Sequence, residues 1–431
     1  MSSKKQTMGT KKDGKPALVP KLRFPEFWGA AAWENKRLGD LFSDRQESGL
    51  TGLPLLSLMD KEGIVPQEDS NRKNNSNSDK SKYLRVVPGD IAYNTMRMWE
   101  GRSALVGLEG LVSPAYTVCE PQPGVHSLLF SYYFKTPQLI EQFRRFSQGL
   151  VKDTLNLKYP AFAQISAPVP TYPEQQKIAD CLSSVDEVIA AQARKVDALK
   201  THKKWLMQQI FPREGEAKPR LRFPEFQNDG EWEETELGKR ISIKGRIGYR
   251  GYTVADIVNE GDGAISLSPS NISDSGALSF EKATYITWAK YHESPEIMVE
   301  KGHTLLVKTG STYGKAAFVW DLPQECTVNP QIVVLKPHSI HPYFLFLLVF
   351  GDVIQRKIRA IVVGGAIPTL SQEGVSKFKI RIPAPPEQQR IATCLGSLDA
   401  LITAETQKLE AIKTHKKGLM QQLFPSPEDI A

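Results

Sequence analysis

The chain has 431 residues, a formal net charge of +7 and 40% hydrophobic residues, more than one core usually fills and enough for roughly two to four domains. The composition excludes a membrane-embedded or secreted disulfide-rich protein: no apolar run approaches ~20 residues, the start MSSKKQTMGTKKDGKPALVP lacks the apolar core of a secretory signal, and Cys119, Cys181, Cys326 and Cys394 form no C-x-x-C pair or His/Cys cluster for zinc. The basic balance favours an anionic partner without naming it, and the cysteines are expected to be reduced, in a cytoplasmic protein.

Residues 1–19 are polar and lysine-rich and read as a disordered basic tail. The motif PKLRFPEF follows at Pro20 to Phe27, then Trp33 and Leu38-Gly39. A body over about 36–169 has strand-like runs at Leu53–Leu58, Asp90–Tyr93, Ala104–Val106 and Ala115–Val118, with turn signals such as Pro88-Gly89 between them. A helical stretch is expected from Ser127 to Gln148, then a Gly-containing polar loop, QGLVKDTLN, and a last strand in AQISAPVP. Pro170 to Pro212 then reads as one long helix. Its apolar seam runs through Ile178, Leu182, Val185, Ile189, Gln192, Val196, Leu199, Lys203, Leu206 and Ile210, alternating four and three as in a coiled coil. Pro173 suits the first turn and Pro212 stops the helix. At ~35 residues such a helix would be roughly 50 Å long.

After the charged link 213–218 the series repeats. PRLRFPEF occupies Pro219 to Phe226, followed by Trp232 and Leu237-Gly238. A second body over about 235–382 has runs at Ala264–Leu267, Thr304–Lys308, Ala316–Trp320 and Gln331–Leu335, a helical stretch from Pro342 to Ile361, the loop VGGAIPTLS and a strand in KFKIRIPAP. Pro383 to Pro425 is the second long helix, with its seam at Ile391, Leu395, Leu398, Ile402, Glu405, Leu409, Ile412, Lys416, Leu419 and Leu423; a short tail, 426–431, ends the chain. About 26 of the roughly 43 helix positions are identical in the two copies, which marks an internal duplication. Each stripe must be buried, and its nearest partner is the other copy. The bodies agree only in outline, so the helices do one thing twice and the bodies do different things.

Enzyme motifs are incomplete. Gly310-Ser-Thr-Tyr-Gly314-Lys315 resembles a phosphate-binding loop with one residue too few and with Ala316 in the magnesium-binding position; a basic turn between strands is the simpler reading. Ser113-Pro-Ala-Tyr116 resembles an amino-methyltransferase loop lacking its second proline, and no Gly-rich turn could seat a methyl donor. No catalytic or metal residues are assigned. Basic and amide side chains crowd the turns of the bodies: Asn94, Arg97, Arg102, Lys152 and Asn156 in the first, and Lys308, Ser311, Thr312, Tyr313, Lys315 and Thr369 in the second. Arg and Asn can read base edges and Lys neutralises phosphate, although for any single one of them a solvated surface role is the simpler reading. The identical KTHKK stretches carry Lys200, His202 and Lys204, and Lys413, His415 and Lys417. They are either a solvated helix face or a docking site present twice. Lys203 and Lys416 lie in the seam itself and could fix register. The LRFPEF motifs, with Arg23, Phe24 and Glu26 and with Arg222, Phe223 and Glu225, are either hydrophobic anchors or part of that docking site.

This layout resembles the specificity subunits of type I restriction-modification systems over nearly the whole chain after the first ~20 residues. The strongest carriers are Pro173-Glu174-Gln175-Gln176 with Ile178 and Pro386-Glu387-Gln388-Gln389 with Ile391, with Pro88-Gly89-Asp90 and TGSTYGKAA in support. The resemblance implies an α+β fold: two mixed target recognition domains, 20–169 and 219–382, separated by two long antiparallel coiled-coil helices, 170–212 and 383–425, with an internal pseudo-two-fold repeat. It implies that each domain reads one half of a bipartite sequence in double-stranded DNA and that helix length sets the unread spacer. Two methyltransferase subunits would dock on the repeated regions and restriction/translocase subunits would join them. The chain itself would hold no cofactor; S-adenosylmethionine, ATP and Mg would belong to the partners. A coiled-coil scaffold that binds only proteins, and a self-contained methyltransferase or nuclease, are the competing readings. The basic tail has no assigned role.

Overall fold

The computed structural model describes residues 18–59, 63–70, 79–361 and 370–425, the side chains of Asp153 and Tyr249 aside. Most of the basic tail, the final residues 426–431 and most of the VGGAIPTLS loop lie outside that set. The chain divides into two compact units. One runs to residue 193 and takes in residues from 407 onward; the other is 194–406. Each unit therefore contains the first part of one long helix and the last part of the other.

In the first unit a four-stranded antiparallel sheet holds Phe42–Asp44, Tyr116–Pro121, Ile91–Asn94 and Ser103–Leu105, in that spatial order. In the second unit Ile241–Gly245, Ile332–Pro337, Thr304–Val307 and Ala316–Phe318 repeat the order strand for strand. A two-stranded ribbon completes the parallel: Glu34–Arg37 pairs with Ser166–Val169, and Glu233–Glu236 with Lys379–Ile382. The units differ beyond this frame. The second carries another four-stranded sheet, Ile257–Val258, Thr284–Ile286, Ala264–Leu267 and Cys326–Val328, whose last pairing is parallel. The first carries two separate two-stranded pairs instead. The expected run at Leu53–Leu58 begins pairing as a strand only at Leu56; Pro54 has no N–H to give a ladder.

Both shorter helical stretches are broken in two, where the sequence suggested one helix each. Ser127–Tyr133 ends before Thr136, whose extended backbone is what a residue preceding proline adopts, and Pro137–Phe146 starts afresh. Pro342–Phe350 ends at the extended Gly351, whose carbonyl accepts the first hydrogen bond of Asp352–Ile361 from Gln355. The long helices run over Tyr172–Ile210 and Pro385–Leu423. Every seam position of both is buried or half-buried.

Within each unit the two helix segments run antiparallel. In the first, Lys416 Nζ meets Asp186 at 2.6 Å while Leu423 and Phe424 join the core of Ile178 and Leu182. In the second, Lys203 Nζ meets Asp399 at 2.6 Å, Lys195 reaches Glu405, and Ile210 joins the core of Ile391 and Leu395. Lys203 and Lys416 are thus seam residues with a dedicated carboxylate, as a register device requires. Each carboxylate also accepts from a hydroxyl of its body: Asp186 from Tyr132 at 2.7 Å, Asp399 from Tyr343. Of the phenylalanines closing the long helices, Phe424 is a core residue and the half-buried Phe211 packs against the core. Phe424 stacks on Tyr133 at 4.5 Å, and Phe211 on Phe344 at 5.4 Å.

The Leu-Gly pairs have a packing reason. Leu38 and Leu237 are fully buried. A Cβ on Gly39 would lie 2.8 Å from Ala163 Cβ and 3.0 Å from its carbonyl oxygen; one on Gly238 would lie 2.8 Å from Ser376 Cβ. Gly39→Ala is therefore expected to cost about 1–3 kcal/mol by overpacking, read as a lowered unfolding midpoint. A change under about 0.5 kcal/mol would mean that this contact relaxes freely.

Candidate functional site

Two kinds of site residue separate here: those that build a repeated frame and those that the frame presents. The frame starts from the Pro-Glu-Gln run. Proline opens the helix, which places the next two side chains on its inner face. Glu174 accepts a bidentate pair from Arg23 at 2.8 and 2.7 Å and a third bond from Trp33 Nε1 at 3.2 Å. Arg23 spends its remaining donors on the carbonyls of Ala30 and Ala31. Glu387 accepts the same bidentate pair from Arg222, which also donates to the carbonyls of Asp229 and Gly230. Gln175 donates to the Pro170 and Gly124 carbonyls and accepts from the His126 amide; Gln388 donates to the Pro383 carbonyl and accepts from the His341 amide. One helical turn thus clamps the opening motif and the start of the body's first helix.

Of the residues read as docking candidates, Arg23 and Arg222 therefore face inward. Phe24 and Phe223 are half-buried beneath Lys177 and Arg390, which pair in turn with Glu26 at 2.8 Å and Glu225 at 3.0 Å. Lys177 draws the Glu26 carboxyl below the ordinary value; for Glu225 a backbone hydrogen bond does so first and Arg390 second. Lys200, His202, Lys204, Lys413, His415 and Lys417 are all exposed. His202 stacks on the half-exposed Trp205, and Lys413 pairs with Glu410.

The frame presents one hairpin turn per unit, at the same end of the same sheet. In the first unit the turn joins Ile91–Asn94 to Ser103–Leu105. Asn94 Oδ1 accepts from the Met96 amide, and Arg97 and Arg102 flank Glu100 at 3.1 and 3.2 Å. The loop after Phe146 lies against this turn, since the Leu157 amide donates to the Thr95 carbonyl at 2.8 Å. Lys152 is exposed on that loop; the Asn156 backbone pairs with Gln148, and its side-chain oxygen is buried without a hydrogen-bond partner. The Leu157–Thr95 bond thus joins the turn that carries Asn94, Arg97 and Arg102 to the loop that carries Lys152 and Asn156.

In the second unit the turn joins Thr304–Val307 to Ala316–Phe318. Gly310 and Gly314 have φ of +97° and +85°, which only glycine adopts without strain. The phosphate-loop look-alike is therefore a hairpin turn. Ser311 is exposed, Thr312 and Tyr313 are half-buried, and Lys315 pairs with Asp274 at 2.6 Å. Lys308 is fixed through its backbone to Gln331 and Leu370. Thr369 lies outside the described residues.

Most of these cations already hold a carboxylate, but exposed ion pairs contribute only about 0–1 kcal/mol. Exchange for a phosphate oxygen is correspondingly cheap.

Sequence reasoning missed the groups that fix the loops after the first strand of each sheet. Arg246 is buried, donating to the carbonyls of Val328 and Arg250 and to Thr327 Oγ1. Burial pushes its guanidinium below the usual arginine value. Its counterpart Arg45 binds Asp90, Glu47 and Glu120 at 2.6–2.9 Å. Burial opposes the charge on Arg45, yet its bonds to Asp90 and Glu47 outweigh that; burial raises Asp90 despite Arg45. The run Gly245-Arg-Ile-Gly-Tyr-Arg250, basic and aromatic directly after a strand, was the available signal. Among the described residues no cluster of three or more His, Cys, Asp or Glu could hold a metal, and no helix is long and apolar enough to cross a membrane. The four cysteines are free thiols.

Residues 247–414 match the family model described as the type I restriction modification DNA specificity domain. The type I restriction enzyme MjaVIII specificity subunit of Methanocaldococcus jannaschii is 22% identical over 358 residues, covering 80% of this chain and 82% of its own. The putative MjaX specificity subunit of the same organism is 23% identical over 363 residues, covering 80% of each chain. Among solved structures, the S subunit of a type I restriction-modification system from M. genitalium aligns with a TM-score of 0.57 at 15% identity, over 95% of this chain and all of that one. That likeness is one of fold.

Proposed function

We infer that the chain is the specificity subunit of a type I restriction-modification system, the component that recognises DNA sequence. One observation carries the reading: two units with sheets of identical strand order, and with equivalent arginine–glutamate pairs tying the opening motif to the long helix, present different side chains at the same hairpin turn. A repeated frame with divergent tips is the arrangement that two identical partners and two different DNA words require.

Each unit reads one half of a bipartite target in double-stranded DNA. The first uses Asn94, Arg97, Arg102, Lys152 and Asn156; the second uses Lys308, Ser311, Thr312, Tyr313 and Lys315. The chain is non-catalytic and cytoplasmic. Two methyltransferase subunits dock on the repeated exposed faces of Lys200, His202 and Lys204 and of Lys413, His415 and Lys417, with the outer edges of Glu26 and Glu225 alongside. Restriction/translocase subunits complete the assembly. S-adenosylmethionine, ATP and Mg belong to those partners.

Co-expression with a methyltransferase subunit, followed by single-molecule mapping of methylated bases, is expected to give a split motif with one methyladenine on each strand. No motif from an intact complex would favour a protein scaffold, and methylation by this chain alone would make it an enzyme. Exchanging residues 36–169 for those of a relative is expected to change one half of the motif only; a change in both halves would reject the modular account. The helices set the unread spacer, so removing four residues from one of them shifts the seam and should alter the spacer or abolish assembly. An unchanged spacer in an assembled complex would reject that role.

A further inference from the structure

The first body carries a feature that base-edge and phosphate contacts leave unexplained. Leu150, at 102% relative exposure, projects entirely into solvent, and its neighbour Val151 is 60% exposed. Side by side they form a small contiguous apolar patch, and contiguous exposed patches mark interaction sites. The loop that holds them is tightly built. Gln148 and Asn156 exchange backbone hydrogen bonds at 3.0 and 2.8 Å. The Thr154 amide donates to the Val151 carbonyl at 2.9 Å, and Thr154 Oγ1 bonds to the same residue. Gly149 has φ +145°, and a Cβ there would lie 2.5 Å from the Thr154 carbonyl oxygen. Leu157, fully buried, pins the loop to the core and to the hairpin turn at Thr95. The apolar tip is therefore preorganised, and its position is set by the turn that carries Arg97 and Arg102.

Its surroundings are cationic. Lys152 and Lys158 are exposed on the same segment, and Arg144 and Arg145, which share the Glu141 carboxylate, are exposed on the helix leading into it. An apolar tip on a preorganised loop that also exposes Lys152 and Lys158 fits a polyanion with an apolar interior, which describes a stacked duplex.

On the reading given under Proposed function, we propose that Leu150 and Val151 form a wedge that the first body inserts between base pairs at its half-site, unstacking one step and kinking the duplex. Aliphatic wedges of this kind bend DNA by about 20–90°, and they select flexible steps without touching base edges. The first half-site then contains a position specified by deformability.

The test uses the assembled complex with its methyltransferase subunits on a duplex bearing the mapped motif. Permanganate reactivity of thymines reports unstacking, and circularly permuted fragments report bending. Beyond the thymines that face the two methylated adenines, which base extrusion exposes in any variant and which are left out of the comparison, the intact complex should raise reactivity several-fold at one step in the first half-site. Leu150→Ser/Val151→Ser should return it to the level of free DNA, abolish the bend and weaken binding about tenfold, with an unchanged melting temperature because both residues are exposed. Leu150→Phe should retain unstacking. A bound, methylating complex with no reactive step, or one whose reactive step survives the double substitution, would overturn the wedge while leaving the DNA-reading function standing. Absence of any split methylation motif would remove the function itself and the wedge with it. Binding of the full chain to phosphatidylglycerol vesicles, lost in the double variant while the DNA readouts are unchanged, would assign the tip to a lipid surface and overturn the proposal.

Discussion

Glu174→Ala is expected to destabilise the first unit by about 3–5 kcal/mol, the range for removing one partner of a buried ion pair. The side chains of Arg23 and Glu174 are 7% and 1% exposed. Truncation leaves the guanidinium with two backbone carbonyls and no counter-charge, and strips Trp33 Nε1 of its acceptor. Hydrogen exchange over residues 172–193 localises the effect to this unit. Glu387→Ala should do the same to the second unit through Arg222. Replacing both partners, Arg23→Met with Glu174→Leu, should recover most of the loss, because well-packed apolar pairs often match a buried ion pair. A loss below about 1 kcal/mol on Glu174→Ala would mean that water or a rearranged acceptor satisfies Arg23, and the clamp would lose its standing as the anchor of the opening motif.

Asp399→Ala should cost about 2–3 kcal/mol, since it removes two charge-assisted hydrogen bonds at once. Lys203 is left in an apolar seam and the Tyr343 hydroxyl loses its acceptor. Asp186→Ala acts likewise through Lys416 and Tyr132, somewhat less because Asp186 is more exposed. The diagnostic is the exchange Lys203→Asp with Asp399→Lys. A coupling of about 1–3 kcal/mol in the double-mutant cycle is expected, as for residues in one contact network. Full additivity would show that the two charges stabilise their surroundings independently and do not define the antiparallel register.

Much of this was legible in the sequence. The four-three alternation of apolar residues located both long helices and every seam position, because a stripe of that period has only one way to be buried. Turn chemistry placed Gly310 to Lys315 on a hairpin. The clamps were not legible. Arg23 meets Glu174 across 151 positions, and periodicity carries no information about which distant charge an arginine finds. LRFPEF consequently read as either anchor or docking surface, when its arginine is an inward-facing anchor and its glutamate pairs with a cation of the long helix. The broken helices were missed because each stretch stays rich in apolar residues on both sides of Thr136-Pro137 and Gly351, where the backbone turns extended. The loop-fixing Arg246 was passed over because a basic residue beside glycines and tyrosines looks like surface.

The first unit is completed by its own last turn. Phe424 stacks on Tyr133 and meets Trp33 edge-on, and Leu423 packs with Leu182. On the ribosome, Leu182 emerges roughly 240 residues before Phe424, an interval of about 12–48 s at ~5–20 residues per second. For that time the part of the core of Ile178 and Leu182 that Leu423 and Phe424 close stands open. The newborn chain is open to holdase chaperones through this window, and a slow-codon stretch late in the message would lengthen it. Removal of Leu423 and Phe424 would leave the earliest-made core unfinished.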